Sequence, residues 1–141
     1  MKETGILNRD LAGLLAAQGH GDLMMICDAG FAIPVGPTVV DLSLKDNQPL
    51  IDDVLEELSR HYSVEKIIIA DETKAVSPSK FERVREILGK DIGCETISHT
   101  KLKELSRDVK FVIRTGDFTA YSNVILVSGA GKRWYLENPE G

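Results

Sequence analysis

The residues best suited to chemistry are His20 and Asp28, eight positions apart in the sequence. Histidine is the side chain whose unperturbed pKa, about 6.5, lies near working pH. Glycines flank it in Gly19-His20-Gly21-Asp22, which leaves the backbone free to turn tightly and the ring uncrowded. Between the two residues runs Leu23-Met24-Met25-Ile26-Cys27, an apolar stretch that reads as a buried strand. Asp28 falls where that strand gives way to a loop containing Gly30. In α/β folds ligands bind at the carboxyl ends of strands. The pair points to acid–base work on a small neutral molecule. The plainer readings are a helix C-cap or surface histidine for His20, and an Asx turn for Asp28.

Other candidates lie at similar junctions. His99 follows the strand-like stretch Cys94–Ser98 and opens a short helix to Leu105. Lys103 is one helical turn further on, so both can face one side. Tyr121-Ser122-Asn123 opens the last apolar run, Val124–Ser128. The tyrosine hydroxyl and the asparagine amide supply donors and acceptors suited to a polyhydroxylated ligand. Arg114-Thr115-Gly116-Asp117 reads as a turn in which Arg114 pairs with a carboxylate. Asp71-Glu72 follows the apolar strand Val64–Ala70 and reads as a loop pair, with lining of the site at the strand's carboxyl end as the alternative. The histidines and Asp28 have the chemistry of zinc or iron ligands, but no HxH, HxxxH or HxxE spacing joins them. Gly129-Ala130-Gly131-Lys132 lacks the glycine spacing of a phosphate-binding loop. No GxSxG marks a nucleophilic serine.

The elements that must position these residues follow from periodicity. Asn8 caps a predicted helix over 9–18, ended by Gly19. Val39–Leu44 alternates as a strand. Pro49 is expected to start a helix running to about residue 61 with Leu50, Ile51, Val54, Leu55 and Leu58 inward. Ser77-Pro78-Ser79 starts another, with a capping box between Ser79 and Glu82 and a stop at Gly89. Val109–Arg114 is a further strand. Helices alternating with apolar strands predict an α/β fold, a three-layer single domain with a mostly parallel sheet.

Composition narrows the classes. The chain has 141 residues, 43% hydrophobic and 28% charged, as in ordinary globular domains. Its formal net charge is −5 and no Lys/Arg run exceeds two residues, so no nucleic-acid face is expected. No window approaches the roughly 20 apolar residues of a membrane span, and the N-terminus is unlike a signal peptide. No membrane partner is expected, and the cytoplasm is the default compartment. Cys27 and Cys94 read as reduced, buried hydrophobes.

The blocks Gly5-Ile6-Leu7-Asn8, Gln18-Gly19-His20, Asp28-Ala29-Gly30 and Ile33-Pro34 resemble the RbsD/FucU sugar mutarotase family. Val39-Val40-Asp41-Leu42, Ser98-His99, Val112-Ile113-Arg114-Thr115-Gly116 and Tyr121-Ser122-Asn123-Val124-Ile125-Leu126 extend the resemblance in order. It implies an RbsD-like sugar mutarotase domain over 1–130 in a homodecamer of two stacked pentameric rings, with sites in clefts between subunits. It implies interconversion of the β-pyranose and β-furanose forms of D-ribose, without metal or organic cofactor. His20 matches the family's proton donor. Asp28, His99, Tyr121 and Asn123 match sugar-binding residues, with Ser122 contributing through its backbone and Lys103 as an additional basic group. A mutarotase for another sugar, such as L-fucose, and a non-catalytic sugar-binding accessory of ribose transport are the alternatives. Residues 131–141, which include Trp134-Tyr135-Leu136, extend beyond the family pattern and are expected to be disordered or packed on a neighbouring subunit.

Overall fold

The computed structural model describes residues 1–140. Six strands form one sheet: β1 (Leu23–Cys27), β2 (Thr38–Asp41), β3 (Val64–Ala70), β4 (Gly93–Ile97), β5 (Phe111–Arg114) and β6 (Val124–Ser128). Their spatial order is β2-β5-β1-β6-β3-β4. β2, β5 and β1 run parallel, as do β3 and β4. β6 lies between β1 and β3, antiparallel to both, with Val124 opposite Ile26 and Ile69. Central strands buried on both faces must be continuously apolar. Met24, Met25, Ile26 and Cys27 are accordingly buried, as are Val124, Ile125 and Leu126. The edge strands β2 and β4 are mostly exposed.

Five α-helices cover the sheet: α1 (Arg9–Ala16), α2 (Ile51–His61), α3 (Asp71–Val76), α4 (Pro78–Leu88) and α5 (His99–Leu105). On one face Leu11, Val54, Leu58, Phe81 and Val84 pack over Met24, Ile26, Ile67 and Leu126. On the other, Leu102 and Val109 cover Met25, Cys27, Val112 and Ile125, with Phe31 and Ile33 of the β1–β2 connection beside them. Helix, sheet and helix give the expected three layers. Cys27 is a free thiol, pushed up to about 12 chiefly by burial. Cys94 is also unpaired and half-buried.

Several local expectations change. α2 starts at Ile51 rather than Pro49, because carboxylates cap it there: Leu50 N–H donates to Asp53 and Ile51 N–H to Asp117. The strand predicted over Val39–Leu44 is Thr38–Asp41, ended where Asp41 turns back to accept from Ser43 N–H. The Ser79–Glu82 capping box does not form, since Ser79 is already inside α4 with Ser77 at the cap position and Pro78 in the first turn. Asp71-Glu72 is the first turn of α3 and not a loop. Residues 131–140 contain neither helix nor strand, and Trp134, Tyr135 and Leu136 are exposed. Gly141, the last residue of the expected extension, lies outside the described residues.

Candidate functional site

Because β6 is antiparallel, its start falls at the same edge as the ends of β1, β3 and β4. That edge gathers Asp28, Asp71, His99 and the 121–123 segment. Asp28 N–H donates to Asn123 Oδ1 at 2.8 Å, tying the end of β1 to the start of β6. The Asp28 carboxylate accepts from Gly30 N–H at 3.0 Å. Burial pushes the Asp28 carboxyl up, and Asp117 adds to the rise, against hydrogen bonds from Gly30, Phe31 and Asn123. An open cleft beside it is lined by Asp28, Ala29, Gly30, Phe118, Thr119 and Ala120.

His99 is fixed through its backbone. Its N–H donates to both carboxylate oxygens of Glu72, at 3.0 and 3.2 Å. Its ring meets Tyr121 edge-on at 5.0 Å and Phe31 edge-on at 6.2 Å between centroids. Its Nδ1 is buried and has no partner among the described residues. A buried polar atom without a partner is costly, and a ligand hydroxyl here would satisfy it. Tyr121 holds φ +55°, an uncommon conformation for a non-glycine residue. Thr73, fully buried in α3, donates to the Tyr121 carbonyl, and Ser77 donates to the Ala120 carbonyl at 3.0 Å. Ser122 is buried and its hydroxyl donates to the Thr119 carbonyl at 2.8 Å, so its side chain serves the loop. Lys103 is exposed in the last turn of α5, four residues beyond His99.

A second network lies underneath. Asp117, wholly buried, accepts from Lys80 Nζ at 2.7 Å, Ile51 N–H at 3.0 Å and Thr119 N–H at 2.8 Å. Burial would raise this carboxyl, but Lys80 and the two backbone donors hold it below its usual range. Arg114 pairs with Asp41 at 3.0 Å and donates to the Ala29 carbonyl at 3.0 Å, bracing the loop after Asp28. Glu72, Thr73, Lys80 and Asp117 were not marked as site supports by spacing. Only Glu72 carried a signal, as part of an acidic pair after a strand.

His20 is elsewhere. It precedes β1, so the whole strand separates it from Asp28: five residues, roughly 16 Å at about 3.3 Å each. The two residues that read as a pair in the sequence do not meet within one chain, because β1 is extended and puts them at opposite edges of the sheet. His20 is instead exposed and pairs with Glu65 at 3.2 Å. It lines a separate cleft with Gln18, Tyr62, Ser128, Gly129 and Trp134. Gly21 holds φ +88°, a conformation that favours glycine and sets the turn into β1. Among the described residues no group of three or more His, Cys, Asp or Glu side chains is placed to hold a metal ion. No helix among them is long and apolar enough to cross a membrane.

The fold is a single α/β domain whose carboxyl edge brings Asp28, His99, Tyr121 and Asn123 together. The model of the RbsD / FucU transport protein family matches residues 1–131, and the chain belongs to this family. It is 42% identical to the D-ribose pyranase of Pseudothermotoga lettingae over 141 residues, covering 100% of this chain and 99% of that protein. That alignment takes in the extension after residue 130. The D-ribose pyranase of Bacillus subtilis is 44% identical over 129 residues, 92% of this chain and 98% of that one. Among solved structures, Bacillus subtilis RbsD complexed with D-ribose superposes with a TM-score of 0.87 at 41% identity, over 93% of this chain and 99% of that chain. The Streptococcus pneumoniae fucose mutarotase in complex with L-fucose shares the fold, with a TM-score of 0.71 at 18% identity over 89% of this chain and 94% of that one.

Proposed function

We propose that this chain interconverts the β-pyranose and β-furanose forms of D-ribose, the activity named for its relatives. Asp28, His99, Tyr121 and Asn123 hold the sugar hydroxyls at the carboxyl edge of one copy. The Ser122 backbone and Lys103 complete that rim. His20 of a second copy reaches the same sugar from its amino edge. The observation that carries the reading is the separation of His20 from Asp28 by the length of β1, beside a cradle whose other members converge. A proton-transfer group and a sugar cradle on opposite edges meet only when two copies pack edge to edge. The protein is therefore a homo-oligomer, and we place it in a decamer of two pentameric rings. The segment after the 1–130 domain packs on a neighbouring copy through Trp134, Tyr135 and Leu136, which are exposed in one copy. Two unpaired cysteines accord with the reducing cytoplasm.

Opening a pyranose removes a proton from the anomeric hydroxyl and delivers one to the ring oxygen. Closure to the furanose repeats the exchange through a different hydroxyl. His20 carries one of these transfers, and a positioned group of this kind is worth about 10²–10⁴-fold. Asp28 accepts from a sugar hydroxyl. His99 Nδ1, buried without a partner, receives or donates a further hydrogen bond. Holding the open chain near its closing geometry adds to the rate. No cofactor enters these steps.

The test is NMR saturation transfer between anomeric protons of D-ribose, with and without catalytic amounts of protein, repeated with L-fucose. Faster pyranose–furanose exchange for ribose supports the reading. Ribose binding without acceleration would assign the chain to the sugar-binding accessories, and acceleration for L-fucose alone would make it a mutarotase of another sugar. Light scattering of the purified protein checks the decamer.

A further inference from the structure

Glu65 is the partner of His20, and three features of the fold aim it there. First, β3 and β6 pair Lys66 with Val127 and Val64 with Ser128, so Glu65 is the extra residue of a β-bulge. Bulges re-aim a side chain out of the regular alternation. Second, Gly129 leaves the space the Glu65 side chain occupies. A Cβ on residue 129 would lie 2.5 Å from Glu65 Cβ and 2.6 Å from its Oε2. Third, Glu65 Oε2 is 3.2 Å from His20 Nε2. The side chains are 67% and 49% exposed, so the contact contributes little to stability. Its consequence lies in the ring.

We propose that Glu65 is a positioning residue that holds His20 in the Nε2–H tautomer and presents Nδ1 as the proton-accepting nitrogen. The 3.2 Å contact is an ion-pair distance, not an aligned hydrogen bond; a carboxylate that close repels a nitrogen lone pair and attracts an N–H, and so favours the proton on Nε2. In the neutral imidazole the other nitrogen then carries the lone pair. The Gly129 step of the Gly129-Ala130-Gly131 segment thereby has a role unrelated to phosphate binding: it admits the carboxylate that orients the histidine. This inference rests on the proposed role of His20 as the proton-transfer group, and it adds which nitrogen acts and what selects it.

The experiment compares the intact oligomer with Glu65→Gln, Glu65→Asp and His20→Ala. Gln keeps the shape and loses the charge. Asp keeps the charge and withdraws it by one methylene, which covers the case of a poorly folding Gln variant. Ring-nitrogen NMR shifts of His20, assigned by their loss in His20→Ala, should show an unprotonated Nδ1 and a protonated Nε2 in the parent, with the other tautomer growing in for Glu65→Gln. Ribose exchange should fall about tenfold or more in kcat, part of what a positioned proton-transfer group contributes, while KM changes less than about twofold, because the sugar cradle is on the opposite edge. An Nδ1–H tautomer in the parent, or an unchanged kcat in both Glu65 variants beside an inactive His20→Ala, would overturn the inference and leave the role of His20 standing. Full activity in His20→Ala would overturn that role and this inference with it.

Discussion

The two edges of the sheet are built differently. At the carboxyl edge the backbone and its supports are tied down: Asp28 to Asn123 and Gly30, the His99 N–H to Glu72, the Tyr121 carbonyl to Thr73, and Asp117 to Lys80 and two backbone donors. At the amino edge His20 stands exposed, with a single carboxylate beside it. Rigidly held groups suit binding, because little ordering remains to be done when a ligand arrives. An exposed histidine poorly supports proton transfer, which gains from exclusion of water. Under the proposed function, the contrast sets a preorganised cradle at one edge against an acid–base group at the other that packing against a second copy would complete.

The largest effect should come from removing the amino-edge group. His20→Ala should lower ribose exchange about 10²–10⁴-fold while ribose binding, measured by calorimetry, persists at the intact cradle. Loss of binding in that variant would erase the functional division between the edges.

Next is the support beneath the cradle. Asp117→Ala leaves Lys80 without its most buried partner and the start of α2 with only one of its two carboxylate caps, Asp53. Breaking a buried pair costs about 3–5 kcal/mol, read from denaturant unfolding. The pH dependence has a definite sign. The folded Asp117 carboxyl is held low, so its contribution is present above the unfolded value of about 3.9 and lost as pH falls through the lower folded value. Lys80 is raised by Asp117 and Asp52 against burial, so its contribution is present below about 10.4 and lost as pH rises through its higher folded value. The gap between parent and variant should therefore be widest at neutral pH.

Gly116→Ala comes third. A Cβ there would meet the Lys45 carbonyl at 2.3 Å and that of Gln48 at 2.7 Å, both backbone atoms. Overpacking of this kind costs about 1–3 kcal/mol, visible as a lower unfolding midpoint. The smallest effect on stability should be a gain. Burial raises the Asp28 carboxyl, so its charge weakens the folded state at neutral pH, and that cost fades as pH falls through the raised value. Asp28→Asn should raise the unfolding midpoint at neutral pH and abolish ribose binding. A variant both weaker and still binding would remove Asp28 from the cradle.

The sequence revealed what periodicity encodes. Leu23–Cys27 read as a buried strand because it is apolar on both faces, and α1 was legible from Asn8 and its leucines. Strand direction was not legible, because Val124–Ser128 is apolar either way round and only its neighbours make it antiparallel. α3 escaped because its inward residue is Thr73, a polar side chain buried for a hydrogen bond. Asp28, His99, Tyr121 and Asn123 were each legible at a strand junction because each follows or precedes an apolar run, and the family resemblance, not the spacing, joined them into one group. Asp117 looked like any turn residue, since its partners come from α2 and α4, distant in the chain. The nearness of His20 to Asp28 in sequence misled for the opposite reason: an extended strand turns eight positions into the full height of a sheet.

Subunit complementation tests the two-copy site most directly. His20→Ala and Asp28→Asn proteins, each inactive alone, are dissociated, mixed in equal amounts and reassembled, and ribose exchange is measured by saturation transfer. Activity should return to about a quarter of the sites, those where an intact cradle from one variant meets an intact His20 from the other. No recovery in verified mixed oligomers would mean that both residues must come from one chain, which contradicts the account.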